Sequence, residues 1–302
     1  MRNTIPFTSA STTYRRVTVD DTEIFYREAG PADGPVVVLL HGFPSSSRMY
    51  DPLIPLLADT YRVIAPDYPG FGHSSAPSPH RYTYTFDALA GSIDAFLEHL
   101  KIERYTLFMQ DYGGPIGFRV AIANPGKIEA LIIQNANAYQ EGLGPKWANI
   151  AKFWQDPDAH REQLDGFVSL EGARQRHLGN TPNPERYNPD GWADEFAMIS
   201  RPGQREIQAS LLYDYRTNVE AYPKWQKWMR EHTPSTLVLW GRFDPSFIVA
   251  GAKAYLRDLP DAELHLLDAG HFALDEAADE VAGLTRDFLA RHLDAKGRSK
   301  LR

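Results

Sequence analysis

Asp111 is an ionisable residue at a predicted sharp turn between a buried strand and a helix. Residues 107–117 read LFMQDYGGPIG, so an apolar run ends at Asp111 and two glycines and a proline follow soon after. This succession is typical of a turn that presents a nucleophile at the top of a sheet. The helix offers unpaired N–H groups and the positive end of its dipole, and both favour an ionised carboxylate. Such a carboxylate cannot profitably attack an ordinary ester, but it can displace a leaving group from saturated carbon and form an alkyl ester.

Asp111 also has a structural interpretation, because Asp is a favoured residue at helix N-termini and could simply cap the helix. The chemical interpretation requires a base that hydrolyses the ester. His271 in LLDAGHFALDE is the candidate, since it follows a predicted strand and a glycine in a loop. By itself a histidine is also explained as a surface or core residue. The other histidines have less favourable positions, with His265 in a predicted strand and His177 in a polar stretch.

Asp244 in VLWGRFDPSF is the acid expected to orient the other ring nitrogen of His271. Asp-Pro turns are common, so this residue alone is weakly specific. The order along the chain is more specific, because Asp111, Asp244 and His271 each come just after a predicted strand end. Since catalytic loops gather at the carboxyl ends of parallel strands, we expect the three side chains to meet there.

The loop HGFP (41–44) follows the apolar run VVVLL. In this turn geometry, two backbone N–H groups stabilise the negative charge of a hydrolytic intermediate, one after the nucleophile and one in this early loop. The expected donors are therefore the N–H groups of Tyr112 and Phe43. We interpret His41 as a structural residue that holds the loop by hydrogen bonds.

The elements that position these residues follow from hydrophobic periodicity. Residues 16–19 and 23–27 are short and alternating, and they predict an opening hairpin. Apolar runs of strand length predict buried strands, and helical spacing of apolar residues predicts helices. The predicted strands are 36–40, 61–65, 105–109, 128–133, 236–240 and 263–267, and the predicted helices are 86–100, 114–123, 250–259 and 279–293.

Residues 137–230 interrupt this alternation of strands and helices. They hold five of the six tryptophans and show little strand signal, so they predict helices and loops. The fold class is therefore α/β, with a mostly parallel sheet, helices on both faces and an inserted helical lid. The predicted domains are a core of residues 1–136 and 231–302 and a lid of residues 137–230.

Together the motifs resemble the α/β-hydrolase superfamily, and within it the branch of epoxide hydrolases and haloalkane dehalogenases. They are HGFP (41–44), PDYPGFGHS (66–74), QDYGG (110–114), GRFDP (241–245) and GHF (270–272), and the resemblance covers nearly the whole chain. Asp in place of Ser at the turn points to this branch. The resemblance implies an α/β-hydrolase fold, attack by Asp111 on a carbon of an epoxide or halide, and hydrolysis by water that His271 activates. It also implies that Asp244 stabilises the imidazolium and that the Phe43–Pro44 bond is cis.

The segment LLYDYRTN (211–218) resembles the second lid tyrosine motif of epoxide hydrolases, which implies that Tyr215 donates a hydrogen bond to the leaving oxygen. Alternatively, Tyr215 is a packing residue. The first lid tyrosine should lie near residues 152–157, where Phe153 and Trp154 stand instead. The tyrosines that could replace it are Tyr139, Tyr187, Tyr213 and Tyr222. We expect Phe43, Phe153 and Trp154 to line a hydrophobic pocket, although each lid aromatic could equally belong to the lid core.

Haloalkane dehalogenases, the alternative within the branch, typically have Trp after the nucleophile and often Asn in the HGxP loop. Tyr112 and Phe43 stand at these positions, which weighs against that chemistry. Fluoroacetate-type dehalogenases share a lid Tyr before Arg and a lid Trp, and Trp154 keeps this haloacid alternative open. They carry arginines after the nucleophile to bind a carboxylate, whereas the first arginine after Asp111 is Arg119.

Composition argues against several other classes of protein. The net charge of −7 and the lack of a basic block argue against a nucleic-acid partner. The absence of cysteine excludes disulfides and thiolate metal sites, and no histidine pair has metal-ligand spacing. No apolar leader and no run of about 18 apolar residues is present. We therefore expect no metal or other cofactor, no membrane contact, and a cytoplasmic monomer or homodimer.

These observations predict a hydrolase, with an epoxide hydrolase on small or medium apolar epoxides as the leading hypothesis. A haloalkane or haloacid dehalogenase is the alternative chemistry. A non-catalytic small-molecule binder of the same fold is the alternative class, since a fold guarantees no chemistry. A serine esterase is disfavoured, because the turn has no Ser.

Overall fold

An eight-stranded, mostly parallel sheet forms the centre of the protein. The structure, a computed structural model, describes residues 11–299. The strands are β1 (Thr13–Val19), β2 (Thr22–Ala29), β3 (Val36–Leu40), β4 (Arg62–Pro66), β5 (Tyr105–Gln110), β6 (Ile128–Gln134), β7 (Thr236–Gly241) and β8 (Glu263–Leu267). Their order in the sheet is β1-β2-β4-β3-β5-β6-β7-β8. β1 and β4 each pair antiparallel with β2, and every other neighbouring pair is parallel.

Alternate side chains of the parallel strands face two separate parts of the core. In β3, Val38 and Leu40 face one part, while Val37 and Leu39 face the other. Helices α2 (Phe86–His99), α3 (Gly113–Ala123) and α9 (Val249–Asp258) cover the first part, and α1 (Ile54–Leu57) and α10 (Ala273–Ser299) cover the second. A strand buried on both faces needs a continuous apolar run, which is why VVVLL forms a central strand.

Five α-helices lie between β6 and β7. They are α4 (Trp147–Gln155), α5 (Arg161–Phe167), α6 (Leu170–Leu178), α7 (Pro189–Ile199) and α8 (Gln204–His232). A mainly helical insertion is thus observed, whereas the division into a core of residues 1–136 and 231–302 and a lid of residues 137–230 stays a prediction. Among residues 11–299, no helix combines the length and the apolar character that a membrane span requires.

The predicted fold class is confirmed, and the predicted hairpin is the antiparallel pair of β1 and β2. The Phe43–Pro44 peptide bond is cis, as the resemblance implies. The start of the closing helix differs from the prediction. α10 begins at Ala273, whereas the predicted helix begins at residue 279. Its backbone leaves helical geometry at Ala277, where φ is −132°, so the periodicity that predicts a helix resumes only beyond this kink.

Candidate active site

Asp111 occupies the turn between β5 and α3 with a left-handed backbone. Its φ of 49° lies in a region that non-glycine residues rarely adopt, so the surrounding structure must hold the turn in place. Gly113 permits the turn, because a methyl group there would lie 2.0 Å from the Leu40 carbonyl oxygen of β3. The turn places Asp111 at the carboxyl end of the sheet.

The three side chains predicted to carry the chemistry meet at this edge. Asp111 Oδ2 lies 3.5 Å from His271 Nε2, and His271 Nδ1 lies 2.7 Å from Asp244 Oδ2. All three residues are buried. Three positions that are far apart in the chain therefore form a continuous line of carboxylate, imidazole and carboxylate.

Several donors fix the Asp244 carboxylate behind His271. The backbone N–H groups of Ser246 and Phe247 donate to Oδ1 at 2.6 and 3.1 Å, and the Asn135 amide donates to Oδ2 at 2.8 Å. Burial alone would raise the pKa of Asp244, but His271 and these hydrogen bonds lower it, so the carboxylate stays ionised. No role was predicted for Asn135, although this residue directly follows β6.

Two carboxylates flank the His271 imidazole and raise its pKa. Burial by itself lowers the pKa of a histidine, but Asp244 and Asp111 outweigh that effect and raise the pKa of His271 to about 9. The ring is therefore an imidazolium at neutral pH while Asp111 is charged. A reaction that neutralises the Asp111 carboxylate removes part of this stabilisation and lowers the pKa of His271.

The HGFP loop lies directly against Asp111. The Phe43 N–H donates to Asp111 Oδ1 at 2.8 Å, so one of the two expected backbone donors contacts the carboxylate. Gly42 permits this approach, since a methyl group there would lie 2.5 Å from Asp111 Cβ. The other expected donor, the Tyr112 N–H, follows Asp111 at the start of α3, and its role stays a prediction.

His41 and Gln110 contact the site from behind. The Tyr68 hydroxyl donates to the His41 carbonyl oxygen at 2.8 Å, and the His41 and Tyr68 rings stack, which fits a structural role for His41. The Gln110 amide donates to the His271 carbonyl oxygen at 3.2 Å. No role was predicted for Gln110, although this residue directly precedes Asp111 in the QDYGG motif.

A cavity of ≈ 20 Å³ lies in front of Asp111. Larger surface clefts of ≈ 640 and ≈ 590 Å³ exist elsewhere, but neither wall includes Asp111 or His271. The small cavity is therefore the candidate site, although without side-chain movement it holds little more than one water-sized molecule. No cluster of side chains suited to a metal ion occurs in the described part of the chain. The cavity wall includes Phe43, Asp111, His271, Trp147 and Tyr215.

Tyr215 lies in this wall, and its ring centre is 4.5 Å from that of Trp147 and 5.8 Å from that of Tyr112. Tyr112 lies in the same wall. A role had been predicted only for its backbone N–H, so its side chain was not among the predicted pocket residues. The Tyr112 hydroxyl has no hydrogen-bond partner within residues 11–299, and the Tyr215 hydroxyl has only a weak hydrogen bond with Tyr222, which contributes to the raised pKa of Tyr215. Burial raises the pKa of Tyr112 and of Tyr215, so both hydroxyls stay protonated and can donate.

None of the tyrosines proposed as partners of Tyr215 lines the cavity, although Tyr222 lies close to Tyr215. Tyr139 and Tyr187 donate to carboxylates outside the cavity, and Tyr213 is exposed. The Tyr222 hydroxyl accepts a hydrogen bond from an asparagine amide at 3.1 Å, and Tyr222 does not line the cavity.

Phe153 and Trp154, two predicted pocket residues, do not line the cavity, where Trp147 and Ile150 of the same helix stand instead. Phe153 is buried in packing, and the Trp154 indole N–H donates to the Leu212 carbonyl oxygen at 2.8 Å. The rotation of α4 about its axis decides which side chains reach the site, and a sequence pattern does not determine that rotation.

Two cations, Lys146 and Arg176, also lie in the cavity wall, and sequence analysis missed both. Burial lowers the pKa of Lys146 to about 8 and that of Arg176 to about 10. Both are largely protonated at neutral pH, in a pocket that was expected to be hydrophobic. Nothing in the local sequence marks them, because Lys and Arg are ordinarily exposed.

Known proteins similar to this chain include hydrolases. A family model of the α/β-hydrolase fold matches residues 35–278. A haloalkane dehalogenase of Mycobacterium marinum is 41% identical over 282 residues, which cover 89% of this chain and 90% of that protein. An uncharacterized hydrolase of Saccharomyces cerevisiae is 38% identical over 268 residues, which cover 87% and 92% of the two chains. The solved structure of the epoxide hydrolase CorEH has a TM-score of 0.76 at 22% identity, covers 93% and 99% of the two chains, and shows the shared fold.

Proposed function

Because the chain belongs to the α/β-hydrolase family and is a hydrolase, we propose that it cleaves a bond between carbon and a heteroatom through a covalent ester on Asp111. One observation carries this proposal, namely the placement of the Asp111 carboxylate. Oδ1 accepts the Phe43 N–H at 2.8 Å, and Oδ2 lies 3.5 Å from His271 Nε2. A carboxylate so placed can attack saturated carbon, and the imidazole beside it can activate water for the hydrolysis of the ester.

In the first step, Asp111 Oδ2 attacks the carbon that bears the leaving atom. A bond forms between this carbon and Oδ2, the bond to the leaving atom breaks, and its electron pair departs with that atom. Oδ1 becomes the ester carbonyl oxygen and keeps the Phe43 N–H as its donor. Since Asp111 loses its charge, the pKa of His271 falls from about 9 and the imidazolium can release its proton.

In the second step, neutral His271 takes a proton from water, and the water oxygen attacks Cγ of Asp111. Negative charge develops on Oδ1, where the N–H groups of Phe43 and Tyr112 stabilise it. The bond from Cγ to Oδ2 breaks, and the departing alcohol oxygen takes the proton of the new carboxyl group. The cycle ends with a carboxylate at Asp111 and an imidazolium at His271 that Asp244 compensates.

The donors at the cavity favour oxygen as the leaving atom. An opened epoxide oxygen needs a proton, and the cavity wall holds Tyr112, whose hydroxyl has no partner within residues 11–299, and Tyr215, which has only a weak contact with Tyr222. The donating tyrosine regains its proton from the His271 imidazolium, which leaves the base neutral for the second step. The indole N–H groups of Trp147 and Trp154, which could otherwise hold a halide, donate to backbone carbonyl oxygens at 2.9 and 2.8 Å. An epoxide hydrolase is therefore the leading candidate.

A dehalogenase is the second candidate, because the similar M. marinum protein bears the name haloalkane dehalogenase. The two chemistries differ in their proton balance. Epoxide opening passes the His271 proton to the product, whereas halide displacement releases a halide ion and one proton to the solvent in each cycle. A pH indicator therefore distinguishes them during turnover.

The decisive experiment traps the ester by removal of the base. His271→Gln, incubated with panels of epoxides and alkyl halides, should gain the mass of a whole epoxide or of an alkyl group without halogen. Peptide mapping should place the added mass on Asp111. The double variant Asp111→Asn, His271→Gln is the matched control and should gain no mass, while His265→Gln should turn over substrate without accumulating ester. If no panel member forms an adduct and the unmodified protein turns over none, a non-catalytic binder becomes the better description.

A further inference from the structure

We infer that the substrate carries a carboxylate group, and that Arg176 binds it. The inference rests on the proposed function, because it adds a second contact to the substrate whose carbon Asp111 attacks. It replaces the expected apolar substrate with a short carboxylic acid that also bears an epoxide or a halogen.

Arg176 is a buried cation in the cavity wall, and one of its donors is unused. Its Nη2 donates to the Phe167 carbonyl oxygen at 2.8 Å, whereas Nη1 has no hydrogen-bond partner within residues 11–299. Its Cζ lies 4.6 Å from the Phe43 ring centre and 4.5 Å from the Phe167 ring centre, so aromatic contacts hold the guanidinium in place. A guanidinium that is already held and has a free N–H is a pre-organised partner for a carboxylate.

The charge of Arg176 lacks a direct partner in the described structure. Asp111 and Glu195 act on it only through space, and their ion pairs are made with histidines. A buried charge without an opposite charge in contact is costly, because one carbonyl oxygen and two aromatic rings replace its lost water only in part. Binding of an anion at this position therefore relieves a cost that a neutral ligand leaves in place.

Lys146 adds a second positive charge to the same wall. Burial and the nearby Arg176 both lower its pKa, which shows that the two cations are close enough to repel each other. The imidazolium and the two carboxylates of the site contribute one positive and two negative charges. With both cations protonated, these five groups carry three positive and two negative charges, and a substrate carboxylate offsets the excess.

The volume of the cavity limits the length of the acid. Because Arg176 and Asp111 lie in the wall of the same small cavity of ≈ 20 Å³, we expect the carbon under attack to be a close neighbour of the carboxylate. Oxirane-2-carboxylate and 2-haloacids such as chloroacetate have this arrangement. Wall side chains must move to admit even these short acids, and a long alkyl epoxide would require a larger movement.

The test compares each acid with its neutral amide of nearly equal shape: oxirane-2-carboxylate with oxirane-2-carboxamide, and chloroacetate with chloroacetamide. For the reactive pair, we expect kcat/KM to be about 10- to 100-fold higher with the acid, the range that a hydrogen bond to a charged group provides. Arg176→Gln should lower kcat/KM far more for the acid than for the amide, mainly by raising KM, and Arg176→Lys should restore part of the loss. Arg174→Gln changes an exposed arginine on the same helix and should keep the preference of the unmodified protein.

The inference would be overturned if Arg176→Gln lowered kcat/KM equally for acid and amide. It would also be overturned if the unmodified protein preferred the amide. Calorimetric binding of propionate and propionamide, which cannot react, separates this failure from a failure of the proposed function. If propionate binds and propionamide does not, while no substrate forms an ester on Asp111, the carboxylate site is supported and the covalent chemistry is rejected. If an ester forms only from neutral substrates and propionate does not bind, the covalent chemistry is supported and the carboxylate site is rejected. If Arg176→Gln fails to fold, two comparisons on the unmodified protein still decide the question. They are the turnover of acid against amide and the binding of propionate against propionamide.

Discussion

Asp111 Oδ2 and His271 Nε2 lie 3.5 Å apart, and the Asp111 carboxylate raises the pKa of the imidazole. While Asp111 is a carboxylate, it helps to keep the imidazole protonated and therefore unable to act as a base. In the proposed reaction, esterification removes the charge of Asp111, and the imidazole can then lose its proton. The contact would thus help to make the base available once the ester that needs it has formed.

Removal of the Asp111 charge should lower the pKa of His271. In Asp111→Asn, the midpoint of the His271 ring in an NMR titration should move from about 9 to a lower pH, because one of the two flanking carboxylates is lost. His177 is an internal control, since two other carboxylates raise its pKa to about 9 against the effect of burial. An unchanged midpoint for His271 would show that Asp244 alone sets its protonation, and this would contradict the proposed activation of the base.

Asp244→Asn should slow hydrolysis of the ester more than its formation. The Asp244 carboxylate accepts the His271 Nδ1 hydrogen bond at 2.7 Å and compensates the imidazolium that forms as water attacks. We expect turnover to fall about 10⁴-fold, as with the same change in a serine protease triad. Ester on Asp111 should then be visible by intact mass during turnover. Asp261→Asn, at an exposed position, is the control, and near-normal turnover in Asp244→Asn would exclude this residue as the orienting acid.

Tyr112→Phe and Tyr215→Phe should each slow epoxide opening by about 10²-fold or more, the usual effect of losing a donor to developing negative charge. Halide substrates should lose less, because a halide leaves without taking a proton. Tyr213→Phe is the control, since it changes an exposed tyrosine on the same helix as Tyr215. If Tyr215→Phe leaves epoxide turnover untouched, its assignment as the ring-opening donor is wrong.

The parts of the fold and site that the sequence predicts well are those whose place along the chain determines their place in space. β3 has the predicted bounds, because an apolar run of strand length fits the middle of a parallel sheet. Asp111, Asp244 and His271 come together because each follows a strand, and these strands end at one edge.

The cavity wall was harder to predict, because it depends on the rotation of helices and on contacts between distant segments. α4 presents Trp147 to the cavity and not Trp154, although both tryptophans belong to this helix. Arg176 and His177 are neighbours in a polar stretch, yet Arg176 reaches the cavity and His177 is buried between carboxylates. Buried cations run against the usual distribution of charged residues, so the tertiary packing alone reveals them.

His177 joins α6 to α7 and to the start of α10. Its Nε2 lies 2.8 Å from Glu195 Oε2, and its Nδ1 lies 2.6 Å from Asp275 Oδ2. The ring also stacks on Phe272 with 4.1 Å between ring centres, and Phe272 directly follows His271 in the chain. The protonated His177 therefore links two helices of the insertion to the loop that carries the proposed base.

This link should make the free energy of unfolding depend on pH. The pKa of His177 is about 9 in the folded protein and 6.5 for an ordinary histidine, so its stabilisation is complete below about pH 6.5 and is lost as the pH rises to about 9. This change in the pKa of His177 corresponds to about 3 kcal/mol of folding free energy. In urea denaturation, His177→Gln should therefore lose more stability relative to the unmodified protein at pH 6 than at pH 9.5, whereas the control His160→Gln should show little difference. Equal losses at the two pH values would mean that His177 stabilises the fold through packing and not through its charge.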